Sequence, residues 1–157
     1  MIILAKPFGG PRLNALINEG RSRLRGKLVP TNEKGVRALL ATLKNGGMTY
    51  MTPDHVPKDS SGVFAPFFGI PTTTGILPSR LIQKTGAGVL AVTCTLNEDN
   101  SFLLRFVSPD DAIYSKDLEI SVAGLNRTIE NCIFFCPEQY QWAYRRFKSI
   151  RGKPNPY

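Results

Sequence analysis

Histidine is nearly absent from this 157-residue chain, which has His55 and no other. A lone imidazole cannot form a two-histidine metal pair, and as an acid or base it needs a placed carboxylate partner. The nearest one downstream, Asp59, follows across Pro57, so His55 reads as a polar loop residue near a pocket. Cysteine is also scarce. Cys94, Cys132 and Cys136 are odd in number and contain no Cys-x-x-Cys pair, which suggests neither a disulfide framework nor a zinc site and fits a reducing, cytosolic face. Cys94 lies in the run Val89–Leu96 and reads as a small core residue. No apolar run approaches the roughly twenty residues needed to span a bilayer. Met1–Ala5 is stopped by Lys6 and Pro7 before it reaches signal-peptide length, so any membrane contact is expected to be peripheral. Linkers, repeats and low-complexity blocks are missing too, and residues 1–157 read as a single domain. No cofactor or metal is implied.

Acidic residues are in deficit: 12 Asp and Glu face 20 Lys and Arg, giving a net charge of +8 and a pI near 9.7. The expected partners are therefore anionic. The 42% apolar content is enough for a packed core. Ile2–Leu4 reads as a strand, followed by a helix with Leu13, Leu16, Ile17, Gly20 and Leu24 at helical spacing. Lys27–Pro30 is the next strand. Asn32 is a plausible N-cap for a helix burying Val36, Leu39, Leu40 and Leu43, which Gly46-Gly47 ends. Strands are expected at Met48–Thr52, Val63–Phe68 and from Val89, the last buried on both faces. Asn97–Asn100 turns the chain back into Ser101–Val107 as an antiparallel hairpin. Helices are expected through Ile76–Lys84 and through Leu118, Val122, Leu125, Ile129 and Cys132.

Aromatics and cations concentrate in Pro137–Tyr157. If Pro137 opens a helix, Tyr140, Tyr144 and Phe147 share one face, with Arg145, Arg146 and Lys148 off that stripe. The run PEQYQWAYRRFKS resembles the C-terminal signature of the bacterial lipid A biosynthesis (lauroyl/myristoyl) acyltransferases. Four further segments are similar to that family in the same order: Leu13–Arg21, ending in Gly-Arg; Lys34–Leu40; Met51–His55, resembling its Pro-Asp-Gln motif; and Val63–Gly69, resembling Val-Phe-Val-Pro-Phe-Phe-Gly. The resemblance covers about the C-terminal half of a typical member.

It implies an α/β fold with a mixed, mostly parallel sheet flanked by helices, glycerolipid-acyltransferase-like and truncated at the N-terminus. It also implies acyl transfer from acyl carrier protein to a hydroxyl of a lipid A precursor, at the cytoplasmic face of the inner membrane. The family's base is a His-x-x-x-x-Asp/Glu motif, in which the carboxylate orients the imidazole. That motif is absent here, so no catalytic residue is identifiable and the chain alone is expected to be inactive. The reading frame beginning at an internal Met, or a partner half encoded nearby, would each account for this.

For substrate binding the resemblance points to Lys6, where the family has Arg, and to Arg21 of Gly-Arg, both facing phosphate or a developing oxyanion. A solvated helix-end cation is the competing reading of Arg21. Asp54 is implied to shape the site, or else simply turns the chain. Phe67 and Phe68, with Phe64, line an acyl tunnel or pack as core. Arg145, Arg146 and Lys148 are placed against lipid phosphates, with Trp142 and Tyr144 at headgroup depth on an anionic membrane surface. A non-catalytic module binding anionic lipid or nucleic acid is the alternative. No nucleic-acid motif is recognisable, and none of that class is expected as partner.

Overall fold

A computed structural model describes residues 1–5, 10–22, 26–57, 61–148, 152, 154 and 156, with backbone alone for 21–22. The chain forms two compact units: Met1–Thr52 with Lys84–Ala87, and Pro53–Gln83 with Gly88–Tyr157.

The first unit alternates strand and helix: β1 (Ile2–Ala5), α1 (Pro11–Ser22), β2 (Lys27–Pro30), α2 (Glu33–Lys44) and β3 (Thr49–Tyr50). Its sheet is parallel in the order β2-β1-β3, with Ile3 opposite Leu28 and Tyr50. The Asn32 side-chain oxygen accepts the amides of Lys34 and Gly35 at 3.0 and 3.2 Å, so the expected cap forms. Leu39 is fully buried, with Val36, Leu40 and Leu43 partly so. In α1 the expected buried stripe is instead exposed at Leu13 and Leu16. Leu24 lies outside the described residues.

The second unit holds β4 (Gly62–Phe67), β5 (Ile70–Gly75), α3 (Leu77–Thr85), β6 (Ala91–Leu96), β7 (Phe102–Val107) and α4 (Leu118–Ile133). Both strand pairs here are antiparallel hairpins, so parallel and antiparallel strands occupy separate sheets rather than the one mixed, mostly parallel sheet that was expected. The reason is local. Phe68 and Gly69 both have positive φ, 48° and 73°, the two-residue hairpin turn whose twist matches antiparallel strands. Strand β5 was not anticipated: Ile70-Pro71-Thr72-Thr73-Thr74-Gly75 lacks apolar alternation, yet Thr72 and Thr74 are fully buried against α4.

Asp117 caps α4 by accepting from Glu119 and Ile120, and Ile82, Ile113 and Leu125 form the local core. Gly124 lets α4 approach the 3-10 turn Asp111–Tyr114, since a Cβ there would collide with the backbone of Ala112 and Ile113. Three expectations fail in this unit. Cys94 is exposed, and β6 is open on one face where burial on both was expected. The tail is not an α-helix but two 3-10 turns, Pro137–Gln139 and Trp142–Tyr144. No helix among the described residues is long and apolar enough to cross a membrane.

Candidate functional site

The tail turns sharply at Arg145, whose backbone is left-handed (φ 57°), and this swings Arg146 inward while leaving Arg145 exposed. Arg146 is only 2% exposed. A guanidinium taken that far from water needs its charge and its N–H groups satisfied. Its Nε donates to Asp54 Oδ1 at 3.0 Å, one terminal nitrogen to the Thr73 carbonyl at 2.8 Å, and the other to Thr74 Oγ1 at 2.9 Å. The Phe67 ring lies beneath it, 4.8 Å from ring centre to guanidinium carbon. The Arg146 carbonyl accepts from Thr72 Oγ1 at 3.3 Å. One residue thus joins the tail to β5 and to the Pro-Asp loop.

The network continues through buried Asn126 on α4. Its Nδ2 donates to the Pro66 carbonyl at 2.8 Å, and its side chain meets Thr74 Oγ1 at 3.0 Å. Glu130, one turn on, accepts the Phe68 amide at 2.8 Å and so holds the positive-φ turn. Around this lies an aromatic shelf. Phe67 meets Phe147 at a tilt (5.7 Å) and Phe68 edge to face (4.8 Å), Phe68 meets Phe134 (5.6 Å) and Trp142 (6.1 Å), and Tyr140 abuts Trp142 (4.7 Å). The Trp142 indole N–H donates to the Pro137 carbonyl at 2.8 Å, fixing a ring that is 51% exposed.

Asp54 also lines a cavity of about 220 Å³ with Thr93, Cys94, Ile129, Cys132 and Tyr140. A wider depression of about 540 Å³ runs past Glu98, Asp99, Glu138 and Arg105, so three carboxylates face one guanidinium there. Among the thiols, a hydrogen bond to Glu138 (2.9 Å) pushes Cys136 up, and burial pushes Cys132 up.

Of the residues singled out from sequence, Asp54, Phe67, Phe68 and Arg146 come together in this one network. Arg146 was expected to face lipid phosphate. It is instead buried against Asp54, because the two 3-10 turns rotate the tail out of the helical register that put it on the outer face. Arg145 and Lys148 do lie on the exposed side, Lys148 beside the Tyr144 ring at 5.9 Å. Phe64 is 40% exposed and Phe67 fully buried, which fits a core role for Phe67. His55 is exposed, one residue beyond Asp54. Lys6 and the Arg21 side chain lie outside the described residues. Thr72, Thr73, Thr74, Asn126 and Glu130 were missed. The available signal was a β-branched run after a Phe-Gly turn, and an Asn four residues beyond Val122 on the buried stripe of α4.

The profile of the family described as bacterial lipid A biosynthesis acyltransferase matches residues 2–149. The chain is 30% identical to a lipid A biosynthesis lauroyltransferase of Escherichia coli K12, over 97% of this chain and 50% of the relative. It is 33% identical to a palmitoleoyltransferase of the same organism, over 88% and 46% respectively. A lipid A biosynthesis acyltransferase of Haemophilus influenzae is 26% identical over 96% and 49%. The chain therefore spans about half the length of the curated relatives it matches. With that coverage, and the Pro-Asp loop and tail joined in one site, the chain belongs to the bacterial lipid A biosynthesis acyltransferase family.

Proposed function

We propose that this chain serves lipid A biosynthesis as the substrate-orienting portion of an acyltransferase that moves a fatty acyl chain from acyl carrier protein to a hydroxyl of a lipid A precursor. It works at the cytoplasmic face of the inner membrane. The observation that carries this reading is the Asp54–Arg146 pair, which locks the tail signature to the Pro-Asp loop beside a cavity and an aromatic shelf. In the reaction the acceptor hydroxyl oxygen bonds to the thioester carbonyl carbon, the C–S bond breaks, and a base passes the hydroxyl proton to the departing carrier thiol. These 157 residues hold no His-x-x-x-x-Asp/Glu pair to be that base. Asp54, tied to a guanidinium, holds the Pro-Asp loop against the tail. The cations proposed to meet precursor phosphates are Arg145 and Lys148. Lys6 and Arg21 keep only the role the resemblance implies, toward phosphate or a developing oxyanion.

The test is binding and turnover measured together. The purified chain is expected to bind a bis-phosphorylated lipid A precursor, several-fold more weakly after Arg145→Ala and Lys148→Ala, and to transfer no acyl group. No binding would sink the reading. The exposed Trp142, Tyr144, Arg145 and Lys148 favour one second reading, a non-catalytic module on anionic lipid. Salt-sensitive flotation with anionic vesicles lacking the precursor, unchanged when precursor is added, would select it. Binding to RNA alone would reject both.

A further inference from the structure

The hairpin of β6 and β7 has an inner and an outer face. Thr93, Thr95, Ala91 and Arg105 point inward, Thr95 is buried, and β6 packs on α4. On the outer face the register sets Val92 opposite Phe106, Cys94 opposite Leu104, and Leu96 opposite Phe102. All six are apolar and exposed, up to 74% at Phe102 and 66% at Phe106. Two strands are marginal on their own, and an unbroken apolar sheet face is what an α/β layer covers on its second side. The outer edge of β6 is met at its end by Gln139, whose amide donates to the Leu96 carbonyl (2.7 Å) and accepts its N–H (2.8 Å), copying a strand partner.

We infer that this outer face docks polypeptide equivalent to the half of the relatives' length that this chain does not match, carried on the same or a separate chain. Two observations choose that occupant. The relatives are about twice as long as the span matched, so the family's fold includes as much polypeptide again to lay on this sheet. The turn at the tip of the face carries Glu98 and Asp99, like in charge to anionic headgroups, which disfavours a bilayer there. The inference rests on family membership and not on the proposed activity.

The test reads folding, so its failure is separate from failure of acyl transfer. Leu104→Lys with Phe106→Lys is placed in the chain alone and in a chimera joining the chain to the unmatched half of the Escherichia coli lauroyltransferase. Ile120→Lys, at an exposed apolar position of α4, is the control. The isolated chain is expected to be monomeric by light scattering, and the double lysine variant to lower its binding of a hydrophobic dye several-fold. In the chimera the same pair is expected to cut the soluble, cooperatively melting yield at least tenfold, with Ile120→Lys neutral. A dimer of the isolated chain broken by the lysines, vesicle binding abolished by them, a chimera that tolerates them, or an unsubstituted chimera that does not accumulate would each overturn the inference.

Discussion

At the residue scale the account turns on Arg146. Replacing it with Met takes the Arg146 donor away from the Asp54 carboxylate, the Thr73 carbonyl and Thr74 Oγ1, and breaking a buried pair from one side costs about 3–5 kcal/mol. Arg146→Lys keeps the charge but loses the fork, with a smaller loss of about 1–3 kcal/mol. Urea unfolding of both variants gives the order; equal stability of wild type and Arg146→Met would contradict it. The thiols give a second check, since the thiolate is the reacting form. With Cys136 pushed up by Glu138 and Cys132 by burial, exposed Cys94 is expected to alkylate first, followed by peptide mass mapping. The family resemblance pointed to Asp54 and the basic tail to Arg146, but helical spacing gave Arg146 the wrong surroundings. Its partner lies 92 residues away, and no local period encodes the left-handed turn at Arg145 that buries it.

At the element scale α4 is the organiser, carrying Asn126 and Glu130 to the hairpin turn and Gly124 to the 3-10 turn. Asp117→Ala removes its cap and is expected to cost about 1 kcal/mol. Gly124→Ala forces the turn away and costs about 1–3 kcal/mol, read as a lower thermal midpoint. The start of the same turn depends on acidity. The Arg127 guanidinium, bonded to Asp110 at 2.7 and 2.8 Å, holds the Asp110 carboxyl below its ordinary value, helped by the Ala112 amide. Because the folded value is the lower one, this stabilisation is complete above the unfolded value of about 3.9 and is lost as pH falls through the folded value. Asp110→Asn is therefore expected to flatten the acid limb of an unfolding-versus-pH curve; an unchanged limb would contradict the assignment. Elements with helical period, such as α2 and α4, were legible in sequence, as were the β6–β7 turn and the Asn32 cap. Strand β5 and the 3-10 tail were not, because Thr burial and turn geometry depend on α4 packing against them.

At the scale of the whole molecule, family membership was readable from five ordered segments and the β6–β7 hairpin from its turn, whereas the β4–β5 hairpin and the separation of parallel and antiparallel strands into different sheets were not. Apolar runs such as Val89–Leu96 carry no signal for which face another layer covers, and so the open face of β6 and β7 went unread. The function proposed here separates orientation of substrate from proton transfer: the site is assembled around a fixed carboxylate, and the only histidine is an exposed loop residue. The most direct measurement is acyl transfer from acyl carrier protein to a lipid A precursor by the purified 157-residue protein, with and without His55→Ala. Precursor binding without turnover is expected in both proteins. Turnover by the unsubstituted chain that His55→Ala abolishes would contradict it.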